Sequence, residues 1–218
     1  MIMTDAQIKE AVSSGAIKIE PFDEKNLQPA TYDLRVGPQA ITTSTKSIVD
    51  LTKQGFVTIQ PGDVGVVVSY ERLSLSPRYA GRFGLRSYYA RAGLFATTGP
   101  QIDPGWSGRL MIGVLNLTPR PITLSYMDSF LSVEFHRLER DVERPYDGPY
   151  QGRDKLGPEE IRFVTEQEGV AFSEVIQGIR ALSVNVATLT SEVRALKWMV
   201  PVIFGLALAM VAWVVGTK

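Results

Sequence analysis

Cysteine is absent from this chain of 218 residues, and histidine occurs once, at His136. The lack of cysteine excludes disulfides, thiolate zinc sites, CxxC redox chemistry and cysteine nucleophiles. One histidine excludes metal sites built from several, and His136 is expected to cap a strand at the surface. Net charge is absent too, because 23 basic side chains balance 23 acidic ones. The chain is therefore neither disordered by charge nor a bulk polyanion binder, and we expect no nucleic-acid partner.

The charges are spread unevenly, since the 20 residues from Trp198 to Thr217 carry none. A helix of that length spans about 30 Å, the thickness of the hydrocarbon core of a bilayer. Trp198 and Trp213 lie near its ends, where indole rings favour the membrane interface. The run predicts a single-pass transmembrane anchor over residues 198–217, with a buried core helix as the alternative. No export signal precedes it, so we expect the head to lie in the cytoplasm.

A heptad pattern precedes this run and predicts a coiled-coil stalk over residues 172–197. Its apolar residues alternate at spacings of three and four: Phe172, Val175, Ile179, Leu182, Val186, Leu189, Val193 and Leu196. So narrow a stripe needs a partner helix, and we therefore expect a homo-oligomer. A lone amphipathic helix packed on its own domain, which would need a wider apolar face, is the alternative.

The first 158 residues predict a mainly β domain that opens with one short helix. Thr4 and Gln7 form a capping-box signature, and Gly15 is the expected stop. Strand-like runs separated by turn residues follow: Ile17–Glu20, Thr31–Val36, Ala40–Thr43, Phe56–Gln60, Val64–Tyr70, Arg109–Leu115, Ile122–Ser125 and Phe130–Phe135. Their spacing predicts a distorted antiparallel β-barrel or jelly roll. We expect residues 159–171 to form a linker between this head and the stalk.

Two polar segments, 85–94 and 101–108, stand out in this domain. The first holds Arg86, Ser87 and Arg91 beside small residues, a combination suited to polyphosphate because guanidinium groups donate to several oxygens at once. The second holds Asp103 and Trp106 in an Asp-Pro-Gly-Trp turn. On physical grounds alone, a surface strand and an ordinary turn remain open alternatives.

The head resembles the dCTP deaminase family of the trimeric dUTPase-like superfamily over residues 3–158. The resemblance includes QPATYDLRVG at 28–37, RSYYARAGL at 86–94, IDPGWSG at 102–108, and YQG at 150–152 followed by Gly157-Pro158. It implies a homotrimer of distorted β-barrels with active sites between subunits. It also implies deoxynucleoside triphosphate substrates, dUTP or dCTP, with Mg²⁺ held mainly by their phosphates.

The resemblance also implies roles for individual residues. Arg86, Ser87 and Arg91 would contact the triphosphate and the reacting centre. Asp103 would lie at the deoxyribose, and the matching aspartate of dUTPases orients the attacking water. The remaining members of the implied site pack on the sugar or close over the nucleotide: Trp106, Tyr146, Tyr150, Gln151 and Arg153. Catalysis would rest on Asp103, Ser87 and Arg91.

The chain departs from the family pattern at the residue that decides the reaction. Family deaminases carry a proton-shuttling glutamate ten residues after the motif aspartate, and Gly113 stands in that place here. The family's AQLxF segment becomes residues 131–135 without its glutamine, and the tail lysine is replaced by Pro149. Zinc chemistry is no substitute, given the missing cysteines and the lone histidine.

Three functions stay open at this point. Hydrolysis of dUTP at the α-phosphate, as in a dUTP diphosphatase, needs no glutamate at position 113 and is favoured. A nucleotide-binding sensor or scaffold on the membrane, without catalysis, is the second reading, supported by the lost glutamine and lysine. The third is a dCTP deaminase that produces dUTP, which overall similarity suggests and Gly113 opposes.

Overall fold

The computed structural model describes residues 1–166 and 172–216. The chain divides into two compact units, Met1–Ser173 and Glu174–Lys218.

Short helices and antiparallel strands make up the first unit. In chain order its elements are α1 (Asp5–Ser13), β1 (Ile17–Glu20), a 3-10 turn (Glu24–Asn26), β2 (Tyr32–Thr42), β3 (Val49–Asp50), α2 (Leu51–Gln54), β4 (Phe56–Ile59), β5 (Val64–Leu75), β6 (Tyr79–Leu85), α3 (Ser87–Arg91), β7 (Leu94–Ala96), β8 (Gln101–Ile102), β9 (Ser107–Asn116), β10 (Ile122–Ser125), β11 (Ser129–Arg137) and α4 (Pro158–Glu166).

The helix predicted at the start of the chain is confirmed as α1. Thr4 is its N-cap, and the side chains of Thr4 and Gln7 each accept a hydrogen bond from the other residue's backbone N–H. Ile8 and Ala11 are buried against the sheet, and Gly15 follows the helix with a φ of +75°. The capping box thus sets where the helix begins, and a left-handed glycine follows its end.

Antiparallel pairing joins the strands into one large sheet, so the mainly β prediction is confirmed. Its central order is β7-β9-β5-β2-β11-β6-β8, with β1 beside β5 and β3 beside β2, and β10 and β4 form a separate pair. The pairing of β5 with β9 shifts register between Val68 and Arg72. A second shift, between Val36 and Ala40, lies where two predicted strands merge into the single strand β2.

Four strands, β3, β6, β7 and β8, were not predicted. β3, β7 and β8 have two or three residues each, too few to show an alternating pattern. β6 contains Gly81 and Gly84, and glycine is depleted in strands. β6 forms because β11 and β8 pair with its two edges.

The apolar core lies between the curled sheet, α1 and α2. Its largest fully buried side chains include Tyr32, Phe130 and Phe135. Ile17, Leu34, Leu73 and Ile112 come from four different strands and belong to the same cluster. This core fixes the positions of the polar loops at the sheet edge.

The described part of the predicted linker is a helix rather than an extended connection. Val164 of α4 is fully buried in a second apolar cluster with Ile41, Val66, Val68 and Leu156. Where a linker was predicted over 159–171, residues 159–166 belong to α4, and Val164 on its apolar face is buried against the sheet. Residues 167–171 lie outside the described range.

The second unit consists of α5, a helix that starts just before it and spans Phe172–Gly216. The predicted stalk, 172–197, is thus helical, and its heptad residues from Val175 to Leu196 are exposed in the isolated chain. Across the residues that the structure describes, no helix is both long and apolar enough to cross a membrane. The predicted anchor over 198–217 is not confirmed, and its last residue, Thr217, is not described.

Candidate functional site

A cavity of about 430 Å³ opens beside β9 and collects residues from both the middle and the end of the first unit. This volume falls within the range of small-molecule sites in proteins. Six positions singled out in the sequence line it: Asp103, Trp106, Gly113, Tyr146, Tyr150 and Arg153. One protomer therefore assembles more than half of the predicted site.

The Asp-Pro-Gly-Trp turn forms one wall of this cavity. The backbone N–H of Trp106 donates to the Asp103 carbonyl at 3.1 Å, which closes the turn. Gly105 has a φ of +87°, and a Cβ there would lie 2.6 Å from the Cβ of Pro145. Glycine is required because the tail, residues 138–157 between β11 and α4, packs directly on the turn. The Trp106 side chain is buried, whereas Asp103 is exposed to the cavity.

The tail is fastened to this turn through hydrogen bonds to backbone atoms of residues 104–107. The N–H of Tyr146 donates to the Pro104 carbonyl at 2.8 Å. The Gln151 side chain donates to the Gly105 carbonyl and accepts from the Ser107 N–H, both at 2.9 Å. Gln151 does not line the cavity, so the structure places it as a clamp between the tail and the turn. Its predicted contact with a nucleotide stays a prediction.

Arg153 lines the cavity, but carboxylates hold its guanidinium. Its two terminal nitrogens donate to Glu159 at 3.0 Å and to Glu160 at 2.6 Å. The Glu160 side chain is only 9% exposed, and its Oε2 also accepts from the Gly157 N–H at 2.7 Å. The tail and α4 are thereby tied together, and the positive charge of Arg153 is already balanced.

Gly113 lines the cavity in close contact with the loop after β7. A Cβ on Gly113 would lie 2.3 Å from Oγ1 of Thr97 and 3.1 Å from Oγ1 of Thr98. The Gly113 N–H donates to Thr98 Oγ1 at 2.6 Å, and the Thr97 N–H donates to the Gly113 carbonyl at 2.9 Å. Two threonines thus fill the space next to the position where the family glutamate is expected.

The remaining predicted residues, Arg86, Ser87 and Arg91, do not line this cavity. They belong to α3 and its N-terminal flank, and all three are exposed. The structure shows a short helix where a surface strand was the alternative. Within one protomer, the two halves of the predicted site are separate.

A buried carboxylate holds Arg86 in place. Asp33 is nearly inaccessible, accepts from the Ser132 hydroxyl at 2.6 Å, and lies 3.4 Å from Nε of Arg86. Ser132 belongs to the segment that lacks the family glutamine. Arg91 donates within its own helix, from Nε to the Ser87 carbonyl at 3.2 Å.

Tyr89 anchors α3 to the body of the domain. Its ring is 5% exposed, whereas the neighbouring Tyr88 is 72% exposed. Burial raises the pKa of Tyr89 above its ordinary value because the phenolate would be poorly solvated. The helix that carries Ser87 and Arg91 therefore depends on one buried ring.

The cavity-lining residues that were not singled out in the sequence include Thr97, Thr98 and Arg109. Arg109 lies on the same face of β9 as Met111 and Gly113, since side chains alternate along a strand. That alternation was available as a signal, but only once Gly113 was known to face a cavity. The threonines showed no pattern of their own.

Within residues 1–166 and 172–216, no group of three or more His, Asp or Glu side chains is arranged to hold a metal ion. Glu159 and Glu160 are engaged with Arg153, which leaves Asp103 as a carboxylate facing the cavity. His136 lies on β11 with a ring nitrogen 3.0 Å from Glu134. Any divalent cation in this cavity would need most of its oxygen ligands from a bound molecule.

Known proteins resemble this chain in sequence and in fold. The profile of the dCTP deaminase-like family matches residues 2–138. The dCTP deaminase of Thermococcus sibiricus is 37% identical over 164 residues, which cover 74% of this chain and all of that relative. The dUMP-forming dCTP deaminase of Aquifex aeolicus is 28% identical and covers 76% of this chain and 98% of that relative.

A solved structure agrees at the level of the fold. The 2'-deoxycytidine 5'-triphosphate deaminase of Agrobacterium tumefaciens superposes with a TM-score of 0.54 at 21% identity. The match covers 63% of this chain and 49% of that one. With the profile matching most of the chain and close relatives matching along their full length, this chain belongs to the dCTP deaminase-like family.

Proposed function

We propose that this chain binds a deoxynucleoside triphosphate in the cavity around Asp103 and hydrolyses it at the α-phosphate. The relatives support the substrate class, since by name they act on dCTP and one of them forms dUMP. Gly113 supports the choice of reaction. It lines the cavity, with Thr97 and Thr98 packed against it.

Deamination needs a group that moves protons between water, the ring and the leaving amine. Glycine has no such group, and proton transfer by a positioned side chain is worth about 10²–10⁴-fold in rate. The threonine hydroxyls beside Gly113 do not replace a carboxylate, because a hydroxyl is a far weaker base. The activity carried by the relatives' names is therefore disfavoured in this chain.

Hydrolysis at the α-phosphate requires no proton-transferring side chain at position 113. Asp103 faces the cavity and would orient a water molecule and accept its proton. The water oxygen forms a bond to the α-phosphorus, the bond to the bridging oxygen breaks, and pyrophosphate leaves. Mg²⁺ held by the phosphate oxygens would offset their charge, which is how this ion is usually held in nucleotide sites.

A second copy of the chain would complete the site. Arg86, Ser87 and Arg91 lie outside the cavity of their own protomer, and the family resemblance implies active sites between subunits of a trimer. Asp33 and Ser132 hold Arg86 at the surface. We expect α3 of one protomer to reach the cavity of the next.

The C-terminal helix supports two further proposals. The heptad residues of α5 from Val175 to Leu196 are exposed, and we expect them to pack against the same stripe in other copies. The uncharged run 198–217 is proposed from its sequence alone to anchor the chain in a membrane. Fractionation of cells that express the full chain, before and after residues 198–218 are removed, tests the anchor.

Nucleotide binding without turnover is the second candidate, and Arg153 favours it. Its guanidinium is engaged by Glu159 and Glu160, so a triphosphate would have to compete for it. The lost tail lysine points the same way. In this case the protein would act as a sensor or scaffold.

One experiment separates these functions. The purified full chain is incubated with Mg²⁺ and either dUTP or dCTP, and the products are resolved by chromatography. Formation of dUMP and pyrophosphate from dUTP supports the proposal. Appearance of uracil nucleotides from dCTP would instead establish deamination, and tight binding without products would establish the sensor.

A further inference from the structure

Arg109, a cationic residue of β9, lines the same cavity. It shares a face with Met111 and Gly113, and all three line the cavity. Its backbone N–H donates to the Arg153 carbonyl at 2.8 Å, which places the tail directly against it.

The partners of Arg109 are neutral. One guanidinium nitrogen donates to the Ser69 carbonyl at 3.2 Å, and the group lies 5.8 Å from the centre of the Tyr70 ring. Among the described residues, no carboxylate pairs with Arg109. A guanidinium carries five N–H donors in a planar fork, so most of its donors stay available.

The neighbouring arginines are all paired with acids. Arg35 shares the Tyr70 ring with Arg109, but its Nε donates to the buried Glu71 at 2.6 Å. Arg72, directly opposite Arg109 across the β5–β9 pairing, bonds to Asp154. Arg153 is held by two carboxylates. Arg109 is thus the described arginine of this region whose charge is not balanced by a carboxylate.

A positive charge in this cavity would offset the negative charges that line it. Asp103, Glu159 and Glu160 bring carboxylates to its lining, and a triphosphate would add further negative charge. Arg109 also borders a second cavity of about 440 Å³, whose lining includes Arg72 and Lys155. That cavity is also lined by Asp50 and by Asp154, which pairs with Arg72, so Lys155 is the cation that phosphates extending past Arg109 would meet there.

We infer that Arg109 binds the phosphates of the nucleotide in this cavity. The inference rests on the proposed function and assigns a binding residue that the sequence motifs did not indicate. Contact between Tyr70 and the guanidinium restricts the side chain before the ligand arrives, which lowers the entropy cost of binding. Bidentate donation to phosphate oxygens is the interaction for which a guanidinium is suited.

Calorimetric titration of the full chain tests this assignment. The probes are the non-hydrolysable α,β-imido analogue of dUTP and the phosphate-free nucleoside deoxyuridine. Arg109→Gln is expected to weaken binding of the analogue at least tenfold and to leave deoxyuridine binding unchanged. Arg109→Lys keeps the charge and should recover part of the affinity. Arg120→Gln removes an exposed charge outside both cavities and should change neither.

The two proposals fail in different ways. If the wild-type chain does not bind the analogue, the proposed function is wrong and this assignment falls with it. If the wild-type chain binds and Arg109→Gln binds equally well, only the assignment is wrong. A uniform loss of affinity for both probes would mean that Arg109 is structural, and the thermal unfolding midpoint of Arg109→Lys checks that case independently.

Discussion

Oγ1 of Thr97 lies 2.3 Å from the point that a Cβ atom on Gly113 would occupy. No pair of unbonded heavy atoms tolerates that distance, so any side chain at position 113 requires Thr97 to move. The Cβ of Thr97 itself is 3.6 Å from the same point, an ordinary contact. The glycine and the threonine are therefore adapted to each other.

Substitutions at Gly113 and Thr97 should be coupled. Gly113→Glu alone should destabilise the domain by about 1–3 kcal/mol, because it overpacks a filled space. It should not produce deamination. Thr97→Ala removes the clashing hydroxyl, so the double variant should regain stability. Thermal unfolding of both single variants and the double variant measures the coupling. Additive effects would show that Thr97 simply rotates away.

Asp103→Asn tests the role of the carboxylate that faces the cavity. The amide keeps the shape but accepts no proton, so the rate of dUMP formation should fall by about 10²–10⁴-fold. Binding of the α,β-imido analogue should persist, because the turn is closed by backbone atoms of Asp103 rather than its side chain. Retained hydrolysis would remove Asp103 from the mechanism.

Removing a carboxylate that pairs with Arg153 should have opposite effects on nucleotide affinity and on thermal stability. Glu160→Gln frees one arm of the guanidinium, so affinity for the triphosphate analogue should rise a few-fold while thermal stability falls. Glu159 is 66% exposed where Glu160 is 9% exposed, and solvent screens exposed pairs. Glu159→Gln is thus the matched control and should have the smaller effect. Equal or reversed effects in titration would contradict a competition for Arg153.

The two neighbouring tyrosines of α3 allow a test of the helix that carries Ser87. Tyr89→Ala removes a buried ring and should cost about 3 kcal/mol or more of unfolding free energy. It should also weaken nucleotide binding if α3 completes the site of another copy. Tyr88→Ala removes an exposed ring, so it should change the unfolding free energy by no more than about 0.5 kcal/mol and leave nucleotide binding unchanged. Chemical denaturation and nucleotide titration of both variants measure these effects. Equal losses of stability and affinity in the two variants would contradict the role of Tyr89 in holding α3.

The helix α5 offers a pair of exposed apolar residues on different faces. Leu182 belongs to the heptad stripe, and Val184 lies off it, with exposures of 63% and 64%. Leu182→Asp should lower the oligomeric state or shift its midpoint to higher protein concentration, because a buried charge opposes helix pairing. Val184→Asp should leave it unchanged. Sedimentation of the full chain in detergent measures the oligomeric state. If neither substitution changes it, assembly depends on the head rather than on α5.

Local patterns in the sequence were sufficient for much of the fold. The capping box at Thr4 marked the start of α1, and the strands Ile17–Glu20 and Ile122–Ser125 have the predicted bounds. These features depend on neighbouring residues and on alternation along one strand. The sequence alone also shows the order of the family motifs and the glycine at position 113.

The arrangement of the candidate site was decided by tertiary structure. Thr97 contacts Gly113 next to the β7–β9 pairing, and Gln151 contacts Ser107 across 44 residues of chain. α4 folded onto the sheet where a linker was expected, and its two glutamates took the charge of Arg153. A sequence states which charges exist, but long-range pairing determines which of them neutralise each other. For that reason Arg109, unremarkable in the sequence, faces the cavity without a carboxylate partner among the described residues.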